Sequence, residues 1–184
     1  VALYATFLNR AYDQLLMDVA MHRAPVTVVL DRAGITGADG ASHNGMWDIA
    51  MAAMIPGMCL AAPRDEATLR SQLRQAVAID DGPSLVRYRK GSMPAPIEAL
   101  ESLEGMDWLY RSHKQGAGKR VLLVAAGAMA EPMLAAAAQL EALGYVPDVI
   151  DPCWLLPINP ALVELTRGYD LVVSAEDGLV DGGF

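Results

Sequence analysis

The chain has 184 residues, 53% hydrophobic and 20% charged, with a formal net charge of −8. That length allows one large domain or two small ones, and the composition suits a packed interior and not a disordered acidic tail. The charge speaks against a nucleic-acid partner, which demands a basic face, while a small anion remains possible wherever local arginines dominate a cleft.

No run approaches the ~18 uninterrupted apolar residues of a membrane helix, and no basic n-region opens a signal peptide. Cys59 and Cys153 each sit in an apolar run, as buried free thiols of a reducing compartment do and not as a disulfide framework.

In chain order, Val1 to Tyr4 reads as a strand stub and Ala5 to His22 as a helix, with Phe7, Ala11, Leu15 and Val19 at helical spacing. Val26 to Leu30 is apolar and β-branched, as in a strand covered on both faces. Trp47 to Met54 predicts a short helix, Met58 to Ala62 a strand, Asp65 to Ile79 a helix with acids in its first turn, and Ser84 to Tyr88 a strand. From Ser92 to about Gly118 the pattern breaks, as in a linker holding some local structure. Lys119 to Ala125 and Val146 to Asp151 then read as strands around the alanine-rich helix Ala130 to Leu143. Asn159 to Thr166 follows as a helix and Leu171 to Ser174 as a strand. The alternation implies an α/β fold of two open, mostly parallel sheets with helices on both faces and right-handed crossovers. The chain lacks an initiator methionine, begins inside a strand and ends in a loop, so we expect a segment of a longer protein, incomplete at both ends.

The segment Asp31 to Gly45 follows a strand directly and carries one arginine, two aspartates, one histidine and four glycines. Ligands of open α/β sheets sit beyond the carboxyl ends of parallel strands, and a plain connection there needs only a few residues. Three such strand ends bear unusual groups: Tyr4, Phe7 and Arg10; Arg32, Asp39 and His43; and Arg87, Arg89 and Lys90. Aromatics with arginines suit a flat heteroaromatic ring plus a phosphate. Two readings of Tyr4 and Phe7 stay open, core residues of a strand-to-helix junction or ligand contacts. Arg10 suits either a salt bridge to Asp13 or Asp48 or the same site. Histidine is suited to proton shuttling, and the company of Arg32 and Asp39 favours that role for His43 over a hydrogen bond that staples its own loop. His22 and His113 have no such company and read as surface residues. Gly37-Ala38-Asp39-Gly40 lacks the spacing of a dinucleotide fingerprint, and Glu176-Asp177-Gly178 reads as a helix cap or an interface. No metal ligands are assigned within the chain.

Tyr4-Ala5-Thr6-Phe7-Leu8-Asn9-Arg10-Ala11-Tyr12-Asp13-Gln14, Asp31-Arg32-Ala33-Gly34, Gly37-Ala38-Asp39-Gly40-Ala41-Ser42-His43-Asn44-Gly45, Asp81-Gly82-Pro83-Ser84-Leu85-Val86-Arg87-Tyr88 and Glu176-Asp177-Gly178 with Gly182-Gly183-Phe184 together resemble the 1-deoxy-D-xylulose-5-phosphate synthases, thiamine diphosphate enzymes of the transketolase type. The resemblance implies a partial pyrimidine-binding domain over 1–93, a linker over 94–118 and a partial C-terminal domain over 119–184. It implies a cytoplasmic homodimer that uses thiamine diphosphate and Mg2+. The reaction joins pyruvate, with decarboxylation, to D-glyceraldehyde 3-phosphate, the first step of the methylerythritol phosphate route to isoprenoids, which also feeds thiamine synthesis. Carried over, Phe7 stacks on the aminopyrimidine and Arg10 lies beside it. Tyr4 and Arg32 contact the aldehyde phosphate, and Asp39 and His43 act at the reacting end. A second phosphate arginine of the family falls on Lys90, a departure that keeps the charge and loses the bidentate fork. The cofactor-activating glutamate and the diphosphate and metal motif are expected upstream of Val1, so the segment alone is expected to be inert. Transketolases and 2-oxoacid dehydrogenase β-type subunits share the fold but differ at Asp31 to Gly34. A non-catalytic α/β dimerisation module has little need of such polar groups at a strand end.

Overall fold

In the computed structural model, which describes residues 1–113 and 118–184, the first unit opens with strands β1 (Ala2–Tyr4), β2 (Thr27–Asp31), β3 (Cys59–Ala61) and β4 (Ser84–Arg87). β2, read from its apolar run as covered on both faces, is fully buried only at Val28 and Leu30, whereas β4 is buried along its whole length although it begins with Ser84 and ends with Arg87. The segment after β1 is helical but not uniformly so: Ala5–Ala11 is 3-10, Tyr12–Gln14 (α1) is α-helical and Leu15–Ala20 is π-helical. The tight first stretch turns Ala5, Thr6 and Leu8 inward and leaves Phe7 40% exposed, so Phe7 is not part of the apolar stripe that its spacing suggests. Asp48–Ala53 (α2) and Glu66–Val77 (α3) complete the unit. Asp65 caps α3 by accepting from the Thr68 N–H, while Thr68 reciprocates to the Asp65 N–H, a capping box.

The predicted linker contains two strands, β5 (Glu101–Leu103) and β6 (Met106–Arg111). Glu104 and Gly105 between them both have positive φ (52° and 82°), the two-residue turn whose twist suits a hairpin. Then come β7 (Arg120–Ala125), α4 (Ala130–Ala142), β8 (Val146–Asp151), β9 (Trp154–Leu156), α5 (Pro160–Thr166) and β10 (Leu171–Ala175).

One sheet runs β1-β2-β4-β3-β9 and the other β10-β7-β8-β6-β5. The first is parallel from β1 through β3, with β9 antiparallel at its edge; the second is parallel over β10, β7 and β8, with β6 antiparallel to both β8 and β5. Each sheet is covered on both faces. The first packs Leu30, Leu60 and Leu85 with Leu8, Leu15 and Ile49 on one side, and Ala61 and Val86 with Ala76 of α3 on the other. The second alternates along β7: Val121 and Leu123 meet Met133 and Ala137 of α4, and Leu122 and Val124 meet Leu162 of α5.

β9 crosses from the second unit to close the edge of the first sheet. A buried ion cluster supports the joint. Arg64, just past β3, donates through Nη1 to Asp107 (2.7 Å) and Asp151 (2.8 Å), and through Nε to the Ile97 carbonyl (3.0 Å).

Candidate active site

The carboxyl ends of β1, β2 and β4 lie in line, because Tyr4 pairs with Asp31 and Arg87 pairs with Leu30 across the sheet. The chain leaves β2 through Arg32, whose φ of 60° puts a non-glycine residue in the left-handed region. Such strain persists only where the surroundings over-determine it. Here they do: the guanidinium pairs with Asp31 and lies over the Tyr4 ring, 4.9 Å from its centroid.

The loop beyond is built from two short turns, Gly37–Asp39 and Ala41–His43. It is pinned at several points. Gly34 N–H donates to the Gly45 carbonyl (2.9 Å), Ala33 N–H to the Tyr88 carbonyl (2.9 Å), and the Thr6 hydroxyl to the Ser42 carbonyl (2.8 Å). Asn44 Oδ1 accepts from both the backbone N–H and the hydroxyl of Thr36, at 2.9 and 3.0 Å.

This pinning delivers Asp39 and His43 to the end of β1. Asp39 accepts from the Tyr4 hydroxyl (2.9 Å) and from Lys90 Nζ (2.6 Å). The bond from Lys90, then that from Tyr4, holds the Asp39 carboxyl below the usual aspartate range. Loss of water around the Tyr4 hydroxyl and its bond to Asp39 push the phenol upward. His43 lies edge-on to Tyr4 and Phe7, with ring centroids 5.9 and 6.2 Å away, and its Nδ1 is 3.0 Å from the Ser42 hydroxyl. Tyr4 and Phe7 are themselves edge to face at 5.6 Å, and the Arg10 guanidinium sits 5.2 Å from the centre of the Phe7 ring.

The seven residues picked out from sequence therefore meet at one edge, through direct contacts that link Arg10, Phe7, Tyr4, His43, Arg32, Asp39 and Lys90. Neither Asp13 nor Asp48 pairs with Arg10 in this arrangement; Asp48 is taken by Arg87. Arg87, grouped with the strand-end cations in sequence, is 3% exposed and bridges Asp48 and Asp177, so it belongs beneath the cleft. Arg89 and Lys90 instead line an open cleft of about 600 Å3, with Thr36 on their own side and Met129, Glu131 and Glu176 facing them from the second unit. Sequence reasoning missed Thr6, Asn44 and Asp48 as loop anchors. Only the place of Asp48 at the start of a helix directly after the loop could have signalled one of them. Among the described residues no group of three or more His, Cys, Asp or Glu could hold a metal ion.

An exposed aromatic ring flanked by a guanidinium offers a flat, cation-edged surface for a heteroaromatic ring. Next to it, two cations and a carboxylate–phenol pair can bind a phosphate and move protons.

Comparison with known proteins matches residues 1–96 to "Transketolase, pyrimidine binding domain" and residues 111–184 to "Transketolase, C-terminal domain". A Frankia casuarinae protein named 1-deoxy-D-xylulose-5-phosphate synthase is 54% identical over 183 residues, and one of the same name from Pseudarthrobacter chlorophenolicus is 55% identical over 184 residues. Each alignment covers 100% of this chain and 28% of the relative, so the chain spans little more than a quarter of their length. A solved structure described as a split gene transketolase, inactive β4 tetramer, superposes with a TM-score of 0.82 at 30% identity, over 99% of this chain and 58% of that one.

Proposed function

The chain belongs to the transketolase family, and from that premise we propose that it forms the substrate end of a 1-deoxy-D-xylulose-5-phosphate synthase. That enzyme condenses pyruvate, with loss of carbon dioxide, and D-glyceraldehyde 3-phosphate. The observation that carries the reading is the meeting of Arg32, Lys90, Asp39, Tyr4 and His43 beside an exposed Phe7 at the carboxyl ends of parallel strands.

In this reading Arg32 and Lys90 bind the phosphate of the aldehyde, and the Tyr4 hydroxyl helps orient it. Asp39 holds both Tyr4 and Lys90 in place and keeps its own negative charge at neutral pH. His43 holds or passes a proton at its ring nitrogen, with Nδ1 set by the Ser42 hydroxyl. Phe7 and Arg10 hold the aminopyrimidine end of thiamine diphosphate, which fits the exposed ring and the guanidinium beside it. When bound, that cofactor supplies the carbanion stabilisation that decarboxylation requires. Mg2+ and the diphosphate are held by residues outside those described. A cytoplasmic homodimer goes with the same reading.

The test replaces the matching segment of the Pseudarthrobacter chlorophenolicus relative with this chain. The chimera is expected to form 1-deoxy-D-xylulose 5-phosphate from pyruvate and glyceraldehyde 3-phosphate, and this chain alone to form none. A chimera that takes two-carbon units from a ketose phosphate in place of pyruvate overturns the reading in favour of a transketolase.

A further inference from the structure

Arg87 closes β4 and is almost wholly buried, with its guanidinium between two carboxylates. Nε donates to Asp48 Oδ2 and Nη1 to Asp177 Oδ1, both at 2.7 Å. A buried charge is costly unless paired and hydrogen-bonded. Burial works against the charge here, yet Asp48 and Asp177 together hold the group above the ordinary arginine value.

The two carboxylates belong to different parts of the molecule. Asp48 is the first residue of α2, at the point where the substrate loop ends. Asp177 comes from the second unit, just past β10. Its other oxygen, Oδ2, lies against Gly34 so closely that no Cβ fits there. Gly34 is the neck of the loop: its φ is +81° and its N–H closes onto the Gly45 carbonyl. Three residues beyond Arg87, Lys90 holds Asp39 in the middle of the same loop. One buried cation and one carboxylate from the second unit thus locate the neck and the end of the segment that presents Arg32, Asp39 and His43, and Lys90, close behind Arg87 in the chain, holds its middle.

We propose that Asp177 is a positioning residue for the reaction, setting the geometry of the Arg32, Asp39 and His43 loop through Arg87 and Gly34, so that the second unit governs the substrate end of the first. The proposal rests on the reading of that loop as the phosphate and proton-transfer site.

The experiment compares the chain with Asp177→Asn and Asp177→Glu, by amide hydrogen exchange in solution and by kinetics in the chimera. Asn keeps the shape and loses the charge, while Glu keeps the charge for Arg87 and moves the carboxylate relative to Gly34. In Asp177→Asn the amides from Gly34 to Asn44 are expected to exchange about tenfold faster or more, the worth of one charge-assisted bond, with β7 and β8 unchanged. KM for glyceraldehyde 3-phosphate rises in the chimera while KM for pyruvate holds. Asp177→Glu, which retains the ion pair, folds as the wild type does and shows a smaller increase in loop exchange. Equal acceleration in the loop and in β7 and β8, or wild-type exchange of the loop in both variants, overturns the proposal. If Asp177→Asn does not fold, Asp177→Glu decides by the same comparison. An inactive unmutated chimera counts against the proposed reaction and leaves the exchange result standing.

Discussion

Asp39 holds Lys90 and Tyr4 at once, with Lys90 Nζ 2.6 Å from one carboxylate oxygen and the Tyr4 hydroxyl 2.9 Å from the other. The cation assigned to the phosphate is therefore already paired, and a phosphate has to compete with Asp39 for it. An ammonium also presents a point charge where a guanidinium presents a fork. Lys90→Arg in the chimera is expected to lower KM for glyceraldehyde 3-phosphate by about two- to tenfold, and Lys90→Ala to raise it about tenfold or more. Steady-state kinetics with each substrate varied in turn checks this; an equal change in both KM values removes Lys90 from the phosphate site.

Arg32 is held in a left-handed conformation over the Tyr4 ring. Its strain makes sense if the side chain must point to one place. Arg32→Ala is expected to raise KM for the phosphorylated aldehyde by about 10- to 100-fold and KM for pyruvate by no more than about twofold. Arg32→Lys restores the charge without the fork and recovers only part of the loss. Parallel losses for both substrates point to collapse of the loop and away from phosphate binding.

His43 touches the Tyr4 and Phe7 rings by its edges and meets the Ser42 hydroxyl through Nδ1. If it transfers a proton, His43→Ala lowers kcat by about 10²- to 10⁴-fold, with KM little changed and one limb of the pH–rate profile lost. A fall in kcat with an unaltered profile assigns His43 to anchoring the loop.

The parts of this molecule that were legible in sequence share a simple signal. β2 and β7 carry apolar runs, Val28 to Leu30 and Val121 to Ala125, and α3 opens on a capping box, so local chemistry and global fold agree there. The clustering of these side chains was legible because most of them lie shortly past the ends of β1, β2 and β4, which topology brings to one edge. What failed depended on distant partners. β9 is three residues between Pro152 and Pro157, and nothing local says that it pairs with β3 of the other unit. β5 is exposed along its length and its turn uses Glu104-Gly105, not Asn-Gly, so the hairpin reads as a polar linker. Phe7 fits a helical stripe by spacing, and only the 3-10 winding of Ala5–Ala11 turns it outward. Arg87 looks like another strand-end cation until Asp177, ninety positions later, comes to lie beside it.

The joint between the units carries a pH dependence of its own. Asp151 is fully buried at the end of β8, and burial, opposed by bonds from Arg64 and the Cys153 N–H, pushes its carboxyl up from 3.8 to about 6. Between those values the folded chain keeps a proton that the unfolded chain has released. Its contribution to stability is thus fully present below about pH 3.8 and is lost as pH rises through about 6. A shift of that size corresponds to roughly 3 kcal/mol, at about 1.4 kcal/mol per pH unit. Asp151→Asn has no such ionisation and leaves Arg64 with Asp107 as a partner. The variant is expected to gain on the wild type by that amount between about pH 4 and pH 7, as measured by urea denaturation at each pH. A stability gap that stays constant over this range means that Asp151 ionises as an ordinary aspartate, and that Arg64, not burial, sets its charge.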